Sequence, residues 1–214
     1  MPSVGTLITQ SYDSLKTLEF DGLIQEYLQD APTAEHPTLL QISGIPGAGK
    51  TTFAKQPLFE SYLYLNFDFV MEMIPAYNQM LFSKGSEVAF AHWEMPARII
   101  GYQILLEAIK KKVNILLDHS GTNPAHIELF KKVKELRYTT ELIFLLCDRE
   151  VAYQRTQERT LRTHRFTPRH LIDERADLAL SFLEKYKKIA DKITVLDTTE
   201  GVPSYNEEER SYDE

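Results

Sequence analysis

The chain has 214 residues, of which 43% are hydrophobic, and a formal net charge of −7 at pH 7. This length and composition predict one substantial hydrophobic core. The acidic balance argues against a nucleic-acid partner and against a general anionic-membrane surface. No segment approaches the roughly 20 apolar residues that cross a bilayer, and the first residues lack a signal-peptide pattern, so we expect a cytoplasmic protein without a membrane partner.

Three regions are expected along the chain. Residues 1–36 have a weak helical period of apolar side chains, which predicts an N-terminal helical extension. This period runs through Leu15, Leu18, Leu23, Ile24 and Leu28. Residues 37–200 contain the main domain. Residues 201–214 are charged and poor in aliphatic side chains, so we expect a flexible acidic tail.

Short apolar runs alternate with helical patterns through the main domain, which is typical of a parallel sheet with helices on both faces. Strands are predicted at 38–43, 61–66, 113–117, 140–147 and 193–197. Helices are predicted at 86–112, 124–137, 149–163 and 168–190. Pro96 should end or kink the first of these helices. The expected fold is a three-layer α/β/α arrangement whose five parallel strands have the order 2-3-1-4-5.

The first predicted strand leads into the glycine-rich loop 44–51, Gly-Ile-Pro-Gly-Ala-Gly-Lys-Thr, and a helix follows. Glycines let successive backbone N–H groups point at phosphate oxygens, and the helix adds its positive N-terminal end. Lys50 would neutralise the β- and γ-phosphates, and the Thr51 hydroxyl would ligate Mg²⁺. The alternative is a glycine-rich turn that binds no nucleotide. The predicted ATP-binding residues are Gly44, Ile45, Pro46, Gly47, Ala48, Gly49, Lys50, Thr51 and Thr52.

Asp68 follows the second predicted strand, with Phe67 between them. Because the carboxyl ends of parallel strands face the active-site crevice, this carboxylate is expected near the transferred phosphate. There it would accept the hydrogen bond of an acceptor hydroxyl and act as the catalytic base. The alternative is that Asp68 only caps a helix beginning at Phe69.

The third predicted strand ends in a polar loop that begins with Asp118. An acid at this place can hold Mg²⁺ through water or bind substrate hydroxyls. The side chains of Asp118, Ser120, Thr122 and Asn123 offer donors and acceptors for a polyhydroxylated substrate such as a sugar. Asn123 is also a predicted helix cap, with Pro124 in the first turn. His119 is expected to make local hydrogen bonds.

Seven of the ten arginines lie within residues 149–175, which contain no lysine. Guanidinium groups bind phosphate oxygens in bidentate fashion and stay charged, so this segment is predicted to be a lid over the phosphates. A solvated basic face paired with acidic neighbours is the alternative for several of them. Arg159 and Arg165 are the predicted phosphate-binding, catalytic members.

These motifs resemble the zeta toxin family, P-loop kinases that phosphorylate UDP-N-acetylglucosamine and related UDP-amino sugars. The resemblance covers most of residues 36–200. The matching segments are 36–38 (His-Pro-Thr), 44–51, 66–68 (Asn-Phe-Asp), 117–122 (Leu-Asp-His-Ser-Gly-Thr), 158–159 (Glu-Arg) and 165–168 (Arg-Phe-Thr-Pro). The chain departs from the family pattern at Asp118, where the family has Glu, and at Thr122, where many members have Arg.

The resemblance implies a P-loop kinase fold with ATP and Mg²⁺ as cofactors. Lys50 and Thr51 would bind ATP and Mg²⁺. Asp68 would be the base, and Arg159 and Arg165 would clamp the phosphates. Asp118 and Ser120 would contact the sugar nucleotide. The resemblance also implies a toxin–antitoxin system, with an antitoxin protein as partner.

The expected activity is therefore transfer of the ATP γ-phosphate to a hydroxyl of a small acceptor, with a UDP-amino sugar as the leading acceptor. One alternative is a kinase for another small molecule or for a polynucleotide 5′ end. A nucleotide-binding regulatory or NTPase switch protein is an alternative of a different class, and such a protein would need neither Asp68 nor the arginine lid.

Overall fold

The computed structural model describes residues 18–163 and 165–205. They form one sheet of five parallel strands in the order β2-β3-β1-β4-β5. The strands are β1 (Thr38–Gly44), β2 (Leu63–Asn66), β3 (Ile115–Asp118), β4 (Thr139–Leu146) and β5 (Lys192–Asp197). The predicted strand order is confirmed, and each predicted strand lies within two residues of the observed one at both ends.

Eight α-helices and one 3₁₀ turn occur in the described part of the chain. The helices are α1 (Leu18–Leu28), α2 (Lys50–Phe53), α3 (Phe67–Glu72), α4 (Pro75–Lys84), α5 (Ser86–Lys110), α6 (Pro124–Glu135), α7 (Arg149–Thr163) and α8 (Arg169–Tyr186). The 3₁₀ turn is Pro57–Phe59. Helix α4 was not predicted, and α3 was expected only in the alternative for Asp68, as a helix beginning at Phe69; each is short and carries no strong apolar period.

The strand register brings the polar strand ends together. Asn66 pairs with Asp118, and Asp118 pairs with Ile42, two residues before the glycine-rich loop. Parallel strands end at the same edge of their sheet. The loop, the end of β2 and the end of β3 therefore share one edge.

Alternate residues of each central strand pack into two cores on opposite faces of the sheet. On β4, Leu142 and Phe144 join the larger core, whereas Ile143 and Leu145 join the smaller one. Burial of a leucine or phenylalanine side chain contributes roughly 1.5–3 kcal/mol. Since both faces are covered, the strands are apolar at nearly every position, which is why the sequence shows them as continuous runs.

A buried polar chain crosses the larger core. Gln41 Nε2 on β1 donates to the Tyr186 hydroxyl (3.0 Å), and its Oε1 lies 2.8 Å from Nδ1 of His126. His126 Nε2 in turn lies 2.9 Å from the Tyr102 hydroxyl. Burial lowers the pKa of His126 to about 3, so its imidazole is neutral. The chain links β1 to helices α5, α6 and α8.

Helix α5 continues through Pro96, so the prediction that the helix could end there is wrong. Proline removes one backbone hydrogen bond of the helix. Ala89 lies before Pro96, and Ala97 and Ile100 directly follow it, all with exposed fractions of at most 1%. Packing of these residues in the larger core supports the helix on both sides of the defect.

Both flanking regions pack on the main domain where they are described. Phe20, Ile24 and Leu28 of α1 lie in the larger core. Residues 201–205, which we expected in the flexible tail, end in the buried Tyr205. Its N–H donates to Gln56 Oε1 (2.7 Å). Leu15 and residues 206–214 lie outside the described residues. None of the described helices is long and apolar enough to cross a bilayer.

Candidate active site

A cavity of about 840 Å³ lies at the carboxyl edge of the sheet, between the glycine-rich loop, the ends of β2 and β3, and helices α5, α7 and α8. The predicted site residues that line it are Pro46, Gly47, Gly49, Lys50, Thr51, Thr52, Asp68, Asp118, Ser120, Arg159 and Arg165. Five others do not line it: Gly44, Ile45, Ala48, Thr122 and Asn123. Gly44, Ile45 and Ala48 belong to the glycine-rich loop without lining the cavity, whereas Thr122 and Asn123 have other roles.

The glycine-rich loop needs glycine at Gly47 for two reasons. Its φ is 89°, and a Cβ there would lie 2.2 Å from the carbonyl oxygen of Ala152 on α7. Behind the loop, the hydroxyl of Thr198, which follows β5, donates to the Ala48 carbonyl (2.9 Å). The loop is thus held against α7 and the chain after β5. Two of its N–H groups bond within the protein, that of Gly44 to the Ser120 carbonyl (3.4 Å) and that of Ala48 to the Ile45 carbonyl (3.1 Å).

Lys50 lies at the first position of α2, and its Nζ donates to the carbonyls of Gly44 (3.0 Å) and Ile45 (3.1 Å). Burial lowers its pKa, while the negative charge of Asp118 acts in the opposite direction. The ammonium is therefore held at the loop by neutral carbonyls only. A phosphate is a stronger partner for it than these carbonyls.

Asp118 Oδ2 accepts three hydrogen bonds at the end of β3. The donors are the Thr51 hydroxyl (3.1 Å), the Tyr64 hydroxyl (2.7 Å) and Asn66 Nδ2 (2.7 Å). Burial and the adjacent Asp118 charge raise the pKa of Tyr64, so its phenol stays a donor. The sequence did not indicate the roles of Tyr64 and Asn66, because alternate strand residues give no sign of a partner on the neighbouring strand.

The donor set at Thr51 and Asp118 fits Mg²⁺. A hydroxyl and a carboxylate are hard oxygen ligands, and Mg²⁺ commonly uses one or two protein oxygens with waters and phosphates. No group of three or more His, Cys, Asp or Glu side chains in the described ranges is arranged to hold a metal ion by itself. Any magnesium site here would therefore depend on the nucleotide.

Asp68 forms an ion pair with Arg165, which follows α7. Asp68 is not the helix cap, because α3 begins at Phe67 and the cap is Asn66, whose side chain accepts from the N–H groups of Asp68 (2.9 Å) and Phe69 (3.2 Å). The Asp68 carboxylate is therefore not used to cap the backbone of α3. It faces the cavity, as expected for a residue that acts on a ligand.

The charges around Asp68 set its protonation. Burial acts to raise its pKa, but Arg165, Arg159 and Lys50 hold the pKa below its ordinary value. Glu72, one turn later on α3, lies 3.4 Å from Arg165 Nε and was not predicted. Burial and the nearby Asp68 raise the pKa of Glu72. Arg165 is thus shared between two carboxylates, of which Asp68 is the more firmly ionised.

The seven lid arginines separate into two groups. Arg149 and Arg169 make surface ion pairs with Asp177 and Glu150 and do not line the cavity. This outcome matches the solvated-face alternative. The lid arginines that do line the cavity are Arg155, Arg159, Arg162, Arg165 and Arg175.

Arg159 makes one hydrogen bond through its side chain among the described residues. One Nη donates to the Thr167 hydroxyl (2.6 Å), whereas its buried Nε has no partner among the described residues. Burial and the positive charge of Arg165 lower its pKa. A buried guanidinium with an unused donor beside a second guanidinium is a site for an anion.

Arg155 is occupied differently: it donates to the carbonyls of Thr198 and Thr199, both at 2.9 Å. These bonds tie α7 to the chain after β5. Arg162 is largely solvated, with Glu158 at 3.8 Å.

The loop after β3 is built from local hydrogen bonds. Asn123 caps α6 by accepting from the Ala125 N–H (3.0 Å), as predicted in the alternative for this residue. Thr122 is buried, and its hydroxyl lies 3.2 Å from Ser120 Oγ. His119 Nδ1 accepts from the Gly121 N–H (3.1 Å). Ser120 and His119 line the cavity, so a substrate would meet these two rather than Thr122 and Asn123.

The cavity has a second end that the sequence did not reveal. It is lined by Phe90, Glu94 and Arg98 of α5, by Phe166, and by Arg175 of α8. The α5 residues that line the cavity lie 39 to 47 residues after the end of the glycine-rich loop, and nothing in their spacing marks a site.

Three solved structures share the fold. A structure of the PezAT toxin–antitoxin system of Streptococcus pneumoniae matches with a TM-score of 0.72 and 16% identity, covering 96% of this chain and 85% of the other. A complex of AvrRxo1-ORF1 and ORF2 with ATP matches with a TM-score of 0.64 and 13% identity, covering 85% of this chain and 63% of the other. A putative kinase from Chloroflexus aurantiacus matches with a TM-score of 0.50 and 14% identity, covering 79% of this chain and 93% of the other. No curated protein matches the chain at a significant level.

The zeta toxin family model matches residues 24–210. The chain belongs to the zeta toxin family. It is a P-loop kinase, a nucleotide-dependent phosphotransferase, as the glycine-rich loop predicted. The match begins inside α1, so the family region includes part of the predicted N-terminal extension. The roles of individual site residues in this family member stay predictions.

Proposed function

We propose that the protein transfers the γ-phosphate of ATP to a hydroxyl of a UDP-amino sugar. The observation that carries the proposal is the single cavity in which Lys50 and the glycine-rich loop, the ionised Asp68, and Arg159 with Arg165 meet. Family membership supports phosphoryl transfer, while the acceptor is the proposed part.

In this proposal Lys50 leaves the loop carbonyls for the β- and γ-phosphates, and the loop N–H groups bind the same oxygens. Thr51, and Asp118 through water, would hold Mg²⁺, which when bound neutralises phosphate charge. Arg159, whose Nε has no partner among the described residues, contacts the transferred group. Guanidinium groups placed there stabilise charge that develops during transfer.

Asp68 accepts the proton of the acceptor hydroxyl. Its Oδ2 contacts the Arg165 guanidinium, so this oxygen becomes a free acceptor when the ion pair rearranges. An arriving phosphate offers Arg165 a dianionic partner, and this would release Asp68 toward the hydroxyl. Binding of the nucleotide and exposure of the base are thereby coupled.

Incubation of the protein with ATP, Mg²⁺ and a metabolite extract, followed by mass spectrometry, tests the activity. We expect a UDP-amino sugar to gain one phosphate group, detected as a mass increase of about 80 Da. Lys50→Ala should give no such product. Asp68→Asn should bind ATP normally and form product at a greatly reduced rate. Phosphate on a different small molecule or an oligonucleotide 5′ end would assign another acceptor, and acceptor-independent phosphate release would indicate a switch protein.

We also propose an antitoxin partner. The support is that the PezAT structure, which shares the fold, comes from a toxin–antitoxin system. Expression of the chain alone should arrest growth of a bacterial host, whereas Lys50→Ala should not. Equal growth of both cultures would count against toxicity and remove the reason for an antitoxin.

A further inference from the structure

Helix α3 makes three contacts with the Arg165 guanidinium. Asp68 pairs with its Nη2, and Glu72 Oε1 lies 3.4 Å from its Nε. The ring of Phe69 lies below the guanidinium, with 5.4 Å between Cζ and the ring centroid. Asp68 and Glu72 are four residues apart, so they lie on the same face of the helix. The Arg165 side chain is only 11% exposed in this cradle of two carboxylates and one ring.

The two carboxylates of the cradle contact different nitrogens of Arg165. Asp68 contacts Nη2 at the tip of the side chain, whereas Glu72 approaches Nε. Guanidinium groups bind phosphate oxygens through pairs of N–H groups. A phosphate can therefore replace Asp68 at the tip while the contact with Glu72 is kept.

The Nε–H of Arg165 is a donor with an acceptor in reach. It is buried and has no hydrogen bond among the described residues, since its contact with Glu72 is an ion pair outside hydrogen-bond geometry. Buried donors in native proteins are usually paired. The carboxylate of Glu72 is the group placed to accept from it.

Glu72 does not touch the space that a ligand would fill. Asp68 and Arg165 line the cavity, but Glu72 and Phe69 do not. The backbone of Arg165 is fixed to α7, because the Thr160 hydroxyl donates to its carbonyl (2.9 Å). The direction of the Arg165 side chain is thus what Glu72 can control.

We propose that Glu72 is a positioning residue, which holds the Arg165 guanidinium through Nε while a phosphate displaces Asp68 from Nη2. Release of Asp68 lets the guanidinium rotate into a hydrogen bond with Glu72. Arg165 then stays at the cavity wall and binds the phosphate, and Asp68 is left free. The catalytic consequence rests on the proposed function, whereas the contact itself requires only that a nucleotide binds.

NMR of the Arg165 Nε–H tests this contact without turnover. The signal is assigned by its absence in Arg165→Lys, and its hydrogen exchange is measured with and without Mg²⁺ and a non-hydrolysable ATP analogue. In the wild type we expect the nucleotide analogue to slow exchange at least roughly tenfold, because the Nε–H gains an acceptor. Asp68→Asn should show part of this protection before the analogue is added, since the competing ion pair is weakened.

Glu72→Ala should lose the protection that the nucleotide analogue induces. Glu128→Ala is the matched control, because Glu128 pairs with Lys131 on the surface of α6 (2.9 Å) and does not line the cavity. The control should behave like the wild type. Exchange that the analogue does not slow in the wild type, or that it slows equally in Glu72→Ala, overturns the proposal.

Turnover gives a second measurement. Glu72→Ala should lower kcat roughly tenfold or more and change KM for ATP by less than about twofold, since a misplaced Arg165 affects mainly the transferred group. Loss of an anion near the phosphates would act in the opposite direction, but Glu72 is 42% exposed and solvent screens its charge. An unchanged kcat also overturns the proposal. Protection that depends on Glu72, in a protein that phosphorylates no acceptor, would reject the proposed function and keep the Glu72 contact.

Discussion

Arg165 pairs with Asp68 near the start of α3 and with Glu72 at its end, so that the predicted base and the predicted phosphate clamp are partners of each other. Burial favours a neutral Asp68, and the arginine charges overcome it. The charge state of the base therefore depends on a side chain 97 residues away in the chain.

Arg165→Gln should move the acidic limb of the pH–kcat/KM profile to higher pH. In the wild type, Arg165 and Arg159 keep the Asp68 pKa below its ordinary value, so Asp68 stays ionised well into acid. Without Arg165, burial and the carboxylate of Glu72 raise that pKa, and the base is lost at a higher pH. The maximal rate should also fall, roughly hundredfold or more, because a stabilising charge is gone.

A pH series of initial rates, with Arg149→Gln as control, measures both effects. Arg149 pairs with Asp177 away from the cavity, and its loss should leave the profile in place. An unchanged acidic limb in Arg165→Gln, with only a lower plateau, would show that Arg165 does not set the ionisation of the base.

Gly47→Ala should abolish nucleotide binding. The new Cβ would lie 2.2 Å from the Ala152 carbonyl oxygen at a φ of 89°, so the loop or α7 must move. Gly85→Ala is the matched control, because Gly85 has a φ of 86° and no atom within 4 Å of the added Cβ. The control should cost about 1–3 kcal/mol of stability, because an L-residue is strained at this φ, and should keep ATP affinity.

Thermal unfolding and ATP titration of both variants separate close approach from backbone strain. Normal ATP affinity in Gly47→Ala would mean that the loop adapts without losing its phosphate-binding shape. Loss of ATP affinity in Gly85→Ala as well would mean that the effect is not local to the loop.

His126 should make the folded state less stable in acid. Its pKa is about 3 in the fold because of burial, against an ordinary value of about 6.5 in the unfolded chain. The unfolded chain therefore binds a proton that the folded protein does not, between these two values. The stability contribution is complete above pH 6.5 and declines as pH falls, by about 1.4 kcal/mol per pH unit.

His126→Gln should reduce the slope of unfolding free energy against pH by that amount between about pH 6 and pH 4. Urea unfolding at several pH values gives the slope. His119, whose pKa is also lowered, remains in the variant and contributes the residual slope. Equal slopes in the two proteins would mean that His126 takes up a proton without unfolding.

Tyr64→Phe should raise the Mg²⁺ concentration needed for half-maximal activity by roughly tenfold. The Tyr64 hydroxyl is one of three donors that fix Asp118 Oδ2, and such supporting bonds tune metal affinity by about 10–100-fold. Tyr138→Phe is the control, since its hydroxyl donates to the Val113 carbonyl (3.1 Å) away from the cavity. A Mg²⁺ titration showing no difference would remove Tyr64 from the metal-binding arrangement.

The sequence determined the strands and the glycine-rich loop, because buried parallel strands and phosphate loops have local patterns. The strand order was expected together with the kinase fold, and the pairing of the strands confirms it. The sequence also placed Asp68 and Asp118 at strand ends, and the register confirms that β2 and β3 end side by side. The boundaries of helices α3 and α4 were not predicted, because they depend on packing against α5 rather than on the helices' own residues.

Only the tertiary structure decided which polar side chains meet. Of the seven arginines in one segment, the fold places Arg149 and Arg169 in surface ion pairs and the predicted Arg159 and Arg165 in the cavity. Arg98, on α5, enters the site through the fold alone. Charge recognition depends on distances across elements, and a linear pattern contains no such distances.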